Sequence, residues 1–136
     1  MKKGKIVNPW EVKPFVCDNT YSSKMLLDDV VAGQKAINVN EGTLEPGCKT
    51  SGGVHEAAEI YIAMKGEAIL HLDNESFDFK SGSVCFIPPG VFHSLDNKSY
   101  KESFVLLTLW EDANNNEVYH ERIKAWGKSF KNIDED

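Results

Sequence analysis

Three residues of this 136-residue chain, His55, Glu59 and His93, have the types and spacing that suit metal chemistry. His55 and Glu59 stand four apart, and His93 follows the tight turn Pro88-Pro89-Gly90. Side chains on a strand alternate with period two, so a spacing of four puts His55 and Glu59 on one face, with His93 expected from a second strand. Two imidazoles and a carboxylate form a facial set that suits Fe(II) and also accepts Zn, Mn or Ni, leaving coordination positions open. An open position is what separates a catalytic or ligand-binding metal from a closed structural one. A helical reading of His55-Glu56-Ala57-Ala58-Glu59 also puts both residues on one face, in the manner of helical zinc motifs built on His-Glu-x-x-His. Its fifth residue is Glu, however, and Gly52-Gly53 before it and Ile60 to Ile62 after it leave little room for a helix.

The elements that must position these residues are short. Turn signals recur at Pro46-Gly47, Gly52-Gly53, Lys65-Gly66, Asp73-Asn74, Ser81-Gly82, Pro88-Pro89-Gly90 and Asp96-Asn97. The runs between them, Glu59 to Met64, Ala68 to Leu72 and Phe77 to Phe79, are rich in β-branched and aromatic residues and read as strands. Short strands with little helix between them predict an all-β antiparallel sandwich or barrel. Pro9 and Pro14 remove backbone donors, so residues 5–16 read as an arm or edge strand. Tyr119, Ile123, Trp126 and Phe130 follow the period of one helix face, with the Asn114 to Asn116 cluster as a cap and Gly127 as the stop. A single domain over 1–136 is expected, with its core at 36–110, an N-terminal arm at 1–24 and a C-terminal helical segment at 115–130.

Composition excludes several classes. Fifteen Lys and Arg against 21 Asp and Glu give a formal net charge of −6, which argues against nucleic acid, because phosphate binding needs clustered basic charge. The start Ile6-Val7-Asn8-Pro9 breaks any apolar run behind the first lysines, so no export signal is read there. The longest apolar stretch, Phe104 to Trp110, falls far short of the roughly 20 residues that cross a bilayer. Cys17, Cys48 and Cys85 are an odd count with no CxxC spacing, which points to a reducing cytoplasm.

With these residues in view, the chain resembles the cupin family. Gly47, Gly53-Val54-His55, Glu59 and Gly66 look like the first cupin motif, and Gly82, Pro88, Gly90, His93 and Asn97 match the second at each fixed position. The resemblance implies a small β-barrel or jelly roll of two antiparallel sheets, usually dimeric, holding a divalent metal through residues of the two motifs. Where the first motif normally carries its first metal-binding His, this chain has Gly53, so His55, Glu59 and His93 remain, with water or substrate in the vacated position. Cys48 is a substitute ligand to be tested, although a lone Cys more often behaves as a small buried hydrophobe.

Tyr61 shares the face of Glu59 and is either a substrate contact or a core aromatic. His71 reads as structural or surface, His120 as solvated on the polar side of the C-terminal helix, and Phe86, Phe92 and Trp110 as barrel packing or, for some of them, cavity lining. A metal with one carboxylate ligand keeps positive charge and attracts chelating or anionic oxygens, so the expected guest is a small sugar or carboxylate. Two functions stay open. One is a metal-dependent enzyme of the dioxygenase, isomerase, epimerase or lyase kind; the other is a non-catalytic cupin that binds or senses such a ligand, with or without metal. A homodimer is expected in either case.

Overall fold

The computed structural model describes residues 3–111 and 117–136. Nine strands are described: β1 (Phe15–Val16), β2 (Tyr21–Leu27), β3 (Asn38–Leu44), β4 (Glu59–Lys65), β5 (Glu67–Leu72), β6 (Glu75–Lys80), β7 (Val84–Ile87), β8 (His93–Asp96) and β9 (Phe104–Trp110). A four-residue helix, α1 (Asp29–Ala32), and a longer one, α2 (Glu117–Trp126), complete the chain order. The strands form a six-stranded sheet in the order β1-β2-β3-β9-β4-β7 and a three-stranded sheet in the order β6-β5-β8, with antiparallel pairing throughout. This is the all-β antiparallel architecture that the turn spacing predicts, in the two-sheet jelly roll that the cupin resemblance implies.

Alternation explains the sandwich. In β3 and β9 every second residue is buried, so Asn38, Asn40 and Leu44 point inward with Phe104, Leu106, Thr108 and Trp110. One end of the space between the sheets is filled by Leu44, Ala63, Leu70, Phe79, Leu95, Phe104 and Leu106, with the rings of Phe79 and Phe104 6.0 Å apart. The other end is lined by polar side chains. Asp73-Asn74 forms the two-residue turn between β5 and β6, with Asp73 at φ +52°, a conformation that Asp adopts more readily than most residues.

The ends differ in part from expectation. Pro9 opens a 3₁₀ turn at Pro9–Glu11, and β1 is a two-residue edge strand, as the prolines imply. From Tyr21 the arm enters β2, which runs along β3 over its whole length. α2 stops at Trp126, where Gly127 takes φ +73° and its N–H donates to the Ile123 carbonyl; Phe130 therefore lies beyond the helix. The proposed cap at Asn114 to Asn116 lies outside the described residues. The apolar period marks the inward face in part: Tyr119 and Trp126 are half-buried, Trp126 edge-on against Phe15, whereas Ile123 is exposed and the one buried residue of α2 is Arg122, between Tyr119 and Trp126 on the same side. Phe86 and Phe92 are exposed as well, because they project outward from the edge strand β7 and from the loop before β8, and Trp110 alone of the three aromatics is buried.

Phe104 is fully buried at the centre of the apolar end, so Phe104→Ala is expected to lower stability by about 3–5 kcal/mol. Equilibrium denaturant unfolding measures this, with the transition staying cooperative.

Candidate metal centre

Glu59 opens β4 and His93 opens β8, one on each sheet, so the two face one another across the polar end. His55 is on neither a strand nor a helix. It sits in the loop before β4, and a bend at Glu56 and Ala57 turns its ring back to Glu59, so loop geometry brings the pair together where strand parity was expected to. That loop is tied to β8 through the backbone. Gly53 N–H donates to the His93 carbonyl and His93 N–H to the Gly53 carbonyl, both at 3.1 Å, and Gly90 N–H donates to the His55 carbonyl at 2.9 Å.

The ligand-capable atoms of His55, Glu59 and His93 all lie within 4.8 Å of one another. Glu59 Oε1 is 3.0 Å from His55 Nε2 and 3.5 Å from His93 Nε2. Each imidazole also has a backbone carbonyl at its other nitrogen, Ala57 O at 2.7 Å from His55 Nδ1 and Val91 O at 3.0 Å from His93 Nδ1. A carbonyl oxygen only accepts, so Nδ1 carries the proton on both rings. Both Nε2 lone pairs and a carboxylate oxygen then converge on one point, which is stable only with a cation there, a proton or a metal. The same competition marks His93. Burial pushes its pKa down, but the hydrogen bond to Glu59, the Val91 carbonyl and the Glu59 charge outweigh burial and raise it above the ordinary 6.5.

These residues line a cavity of about 390 Å³ together with Tyr61. The Tyr61 ring meets the His93 ring edge-on with centroids 5.8 Å apart, and burial holds its hydroxyl well above the usual pKa, so it stays protonated. His120 was expected to be solvated; it is exposed, yet it borders this cavity from α2 beside Glu117 and Val118. Cys48 is turned elsewhere, with its thiol donating to the Pro46 carbonyl and its side chain packed on the core, so it joins no ligand cluster among the described residues. His71 pairs with Ser76 Oγ at 2.8 Å across the β5–β6 hairpin, away from the site. Asn97 clips the loops by donating its amide to the carbonyls of Leu44, Glu45 and Glu102. Asn40 and Thr108 also line the cavity, and their inward polar positions in otherwise apolar strands are the sequence signal that could have found them.

The fold and site define a small jelly-roll protein with an inward His-Glu-His cluster at one end of its barrel. The family model for the cupin domain matches residues 40–110. This chain belongs to the cupin family. It is 30% identical over 89 residues to an uncharacterized protein of Methanocaldococcus jannaschii, covering 64% of this chain and 70% of that one. It is also 30% identical over 101 residues to an oxalate-binding protein of Thermotoga maritima, covering 69% and 84%. Among solved structures, a predicted oxalate decarboxylase from Thermotoga maritima superimposes with a TM-score of 0.70 at 24% identity, over 79% of this chain and 98% of that one.

Two neighbouring glycines behave oppositely. Gly52 has φ +80°, and a Cβ there would lie 2.6 Å from the Phe92 ring and 2.9 Å from the His93 carbonyl oxygen, whereas a Cβ at Gly53 meets nothing within 4 Å. Gly52→Ala is therefore expected to cost at least about 1 kcal/mol and Gly53→Ala close to nothing, as read by thermal melting.

Proposed function

We propose that this cupin binds a divalent metal through His55, Glu59 and His93 and acts as a metal-dependent enzyme on a small polar metabolite, a carboxylate before a sugar. The observation that carries the metal is the convergence of two imidazole Nε2 atoms and a buried carboxylate oxygen, with each ring held at Nδ1 by a backbone carbonyl. Fe, Mn, Zn and Ni all accept such a donor set. Gly53 carries no ligand atom and borders the cavity, so the position beside it belongs to water or substrate. A bound divalent ion supplies Lewis acidity, polarising a carbonyl or acidifying a bound water. The metal and Glu59 together leave a formal charge near +1, which suits an anionic oxygen, and the Thermotoga relative named for oxalate binding supports a carboxylate. Tyr61, with its proton retained, is positioned to donate a hydrogen bond to the guest.

A second reading, a cupin that binds or senses its ligand without turning it over, draws on the same relative, which is named for binding. Among the described residues no helix is long and apolar enough to cross a membrane. Cys17, Cys48 and Cys85 are all free thiols, with Cys17 exposed, which fits the reducing cytoplasm. A homodimer belongs to the reading too. Val84 and Phe86 project outward from the open edge strand β7 beside Ile60 and Met64, an exposed apolar patch that a second copy of the chain would cover.

Elemental analysis tests the metal: near-stoichiometric metal is expected in the parent and none in His93→Ala grown alongside. Gly53→His, with open space for its side chain, is expected to hold metal more tightly than the parent. Equal metal content in the parent and His93→Ala would sink the assignment. By light scattering at micromolar concentration, the parent is expected to be a dimer and Phe86→Glu a monomer.

A further inference from the structure

Among the described residues, a buried cation stands on α2. Arg122 is 1% exposed, and its Nε and Nη2 have no hydrogen-bond partner among the described residues. Its Nη1 donates to Ser23 Oγ at 2.5 Å and reaches Asn40 Oδ1 at 3.4 Å. No carboxylate stands within ion-pair distance of it among the described residues: Asp28 contributes only at longer range, and its oxygens accept from Val31 N–H and Ser129 Oγ. Burial lowers the pKa of the guanidinium to about 10, which leaves it charged at neutral pH. An unpaired buried charge is costly, so its field acts on whatever lies nearby.

What lies nearby is the cavity wall. Asn40 Oδ1 accepts from both Ser23 Oγ, at 2.7 Å, and Arg122, which fixes the amide. Asn40 is 5% exposed and borders the cavity, and with Oδ1 occupied its Nδ2 is the polar group left for a guest. Thr108, paired directly with Asn40 on β9, and Tyr61, paired with Thr108 on β4, continue a row of polar groups toward Glu59 and His93. Glu117 is at the exposed rim, where water screens it.

Resting on the metal reading above, we propose that Arg122 is a positioning residue that makes the cavity select a doubly charged small acid. One carboxylate meets the metal side, and the other accepts from the Asn40, Thr108 and Tyr61 row that Arg122 backs. The metal, Glu59 and Arg122 together leave a formal +2 for the guest to neutralise.

Calorimetric titration with malonate and with malonamate, its singly charged monoamide, tests this in buffer of constant Mn(II). The wild type is expected to prefer malonate by at least about tenfold, and Arg122→Met to lose that preference by about tenfold with its Mn(II) affinity unchanged. Arg122→Lys, which restores the charge, is expected to recover it. Asn40→Asp, which hands Arg122 a buried partner at similar size, is expected to abolish it and serves where the Met variant fails to fold. Unchanged selectivity in Arg122→Met or Asn40→Asp, or a Lys variant without recovery, overturns the proposal. Metal binding with no malonate preference in the wild type overturns this proposal alone; where Zn(II), Ni(II) or Fe(II) binds in place of Mn(II) the titrations use that ion, and failure to bind any of the four overturns the metal reading with it.

Discussion

Two backbone hydrogen bonds between Gly53 and His93 hold the site together, because they fasten the loop that carries His55 onto the strand that carries His93. Neither bond depends on side-chain identity, so the loop is in place whatever occupies the cavity. Gly52 makes the tie possible: its positive φ turns the chain where a Cβ would meet the Phe92 ring and the His93 carbonyl. With the tie in place, Glu59 needs only to open β4 on the facing sheet for three donors to meet.

The barrel divides its interior between two tasks. At one end Phe79, Phe104 and Leu106 fill the space between sheets, and dispersion and burial supply stability there. At the other, the same strands carry Asn40, Thr108 and Tyr61 at inward positions, each polar and near the His-Glu-His cluster. Leaving that end polar gives up apolar burial, a cost a chain of this size can carry because the opposite end is closely packed. Nδ1 of each imidazole is held by a carbonyl of its own loop, so the rings are oriented before any ligand arrives.

Much of the fold was legible because turns and β-branched runs are local signals. The Asp73-Asn74 turn, the strands around Ile62 and Leu70, and the stop at Gly127 all stand where their residue types put them. The face of α2 was legible only in part. Tyr119 and Trp126 are half-buried as their period implies, yet the residue buried deepest between them is Arg122 and not Ile123, because Ser23 and Asn40 on β2 and β3 offer it hydrogen bonds. Phe86 and Phe92 misled in the same way, since an aromatic residue carries no sign of which side of a sheet it will occupy.

The sequence by itself determined the family, the jelly-roll class and the three candidate ligands, because fixed spacings of Gly, Pro, His and Glu are covalent facts that folding does not alter. It also marked the gap at Gly53, where no ligand atom exists in any conformation. Only the tertiary structure decided that His55 reaches Glu59 from a bent loop, that Cys48 turns away, and that α2 brings an arginine behind Asn40. Ser23 and Arg122 are 99 residues apart in the chain, and local pattern carries no information about which distant polar groups will be buried together.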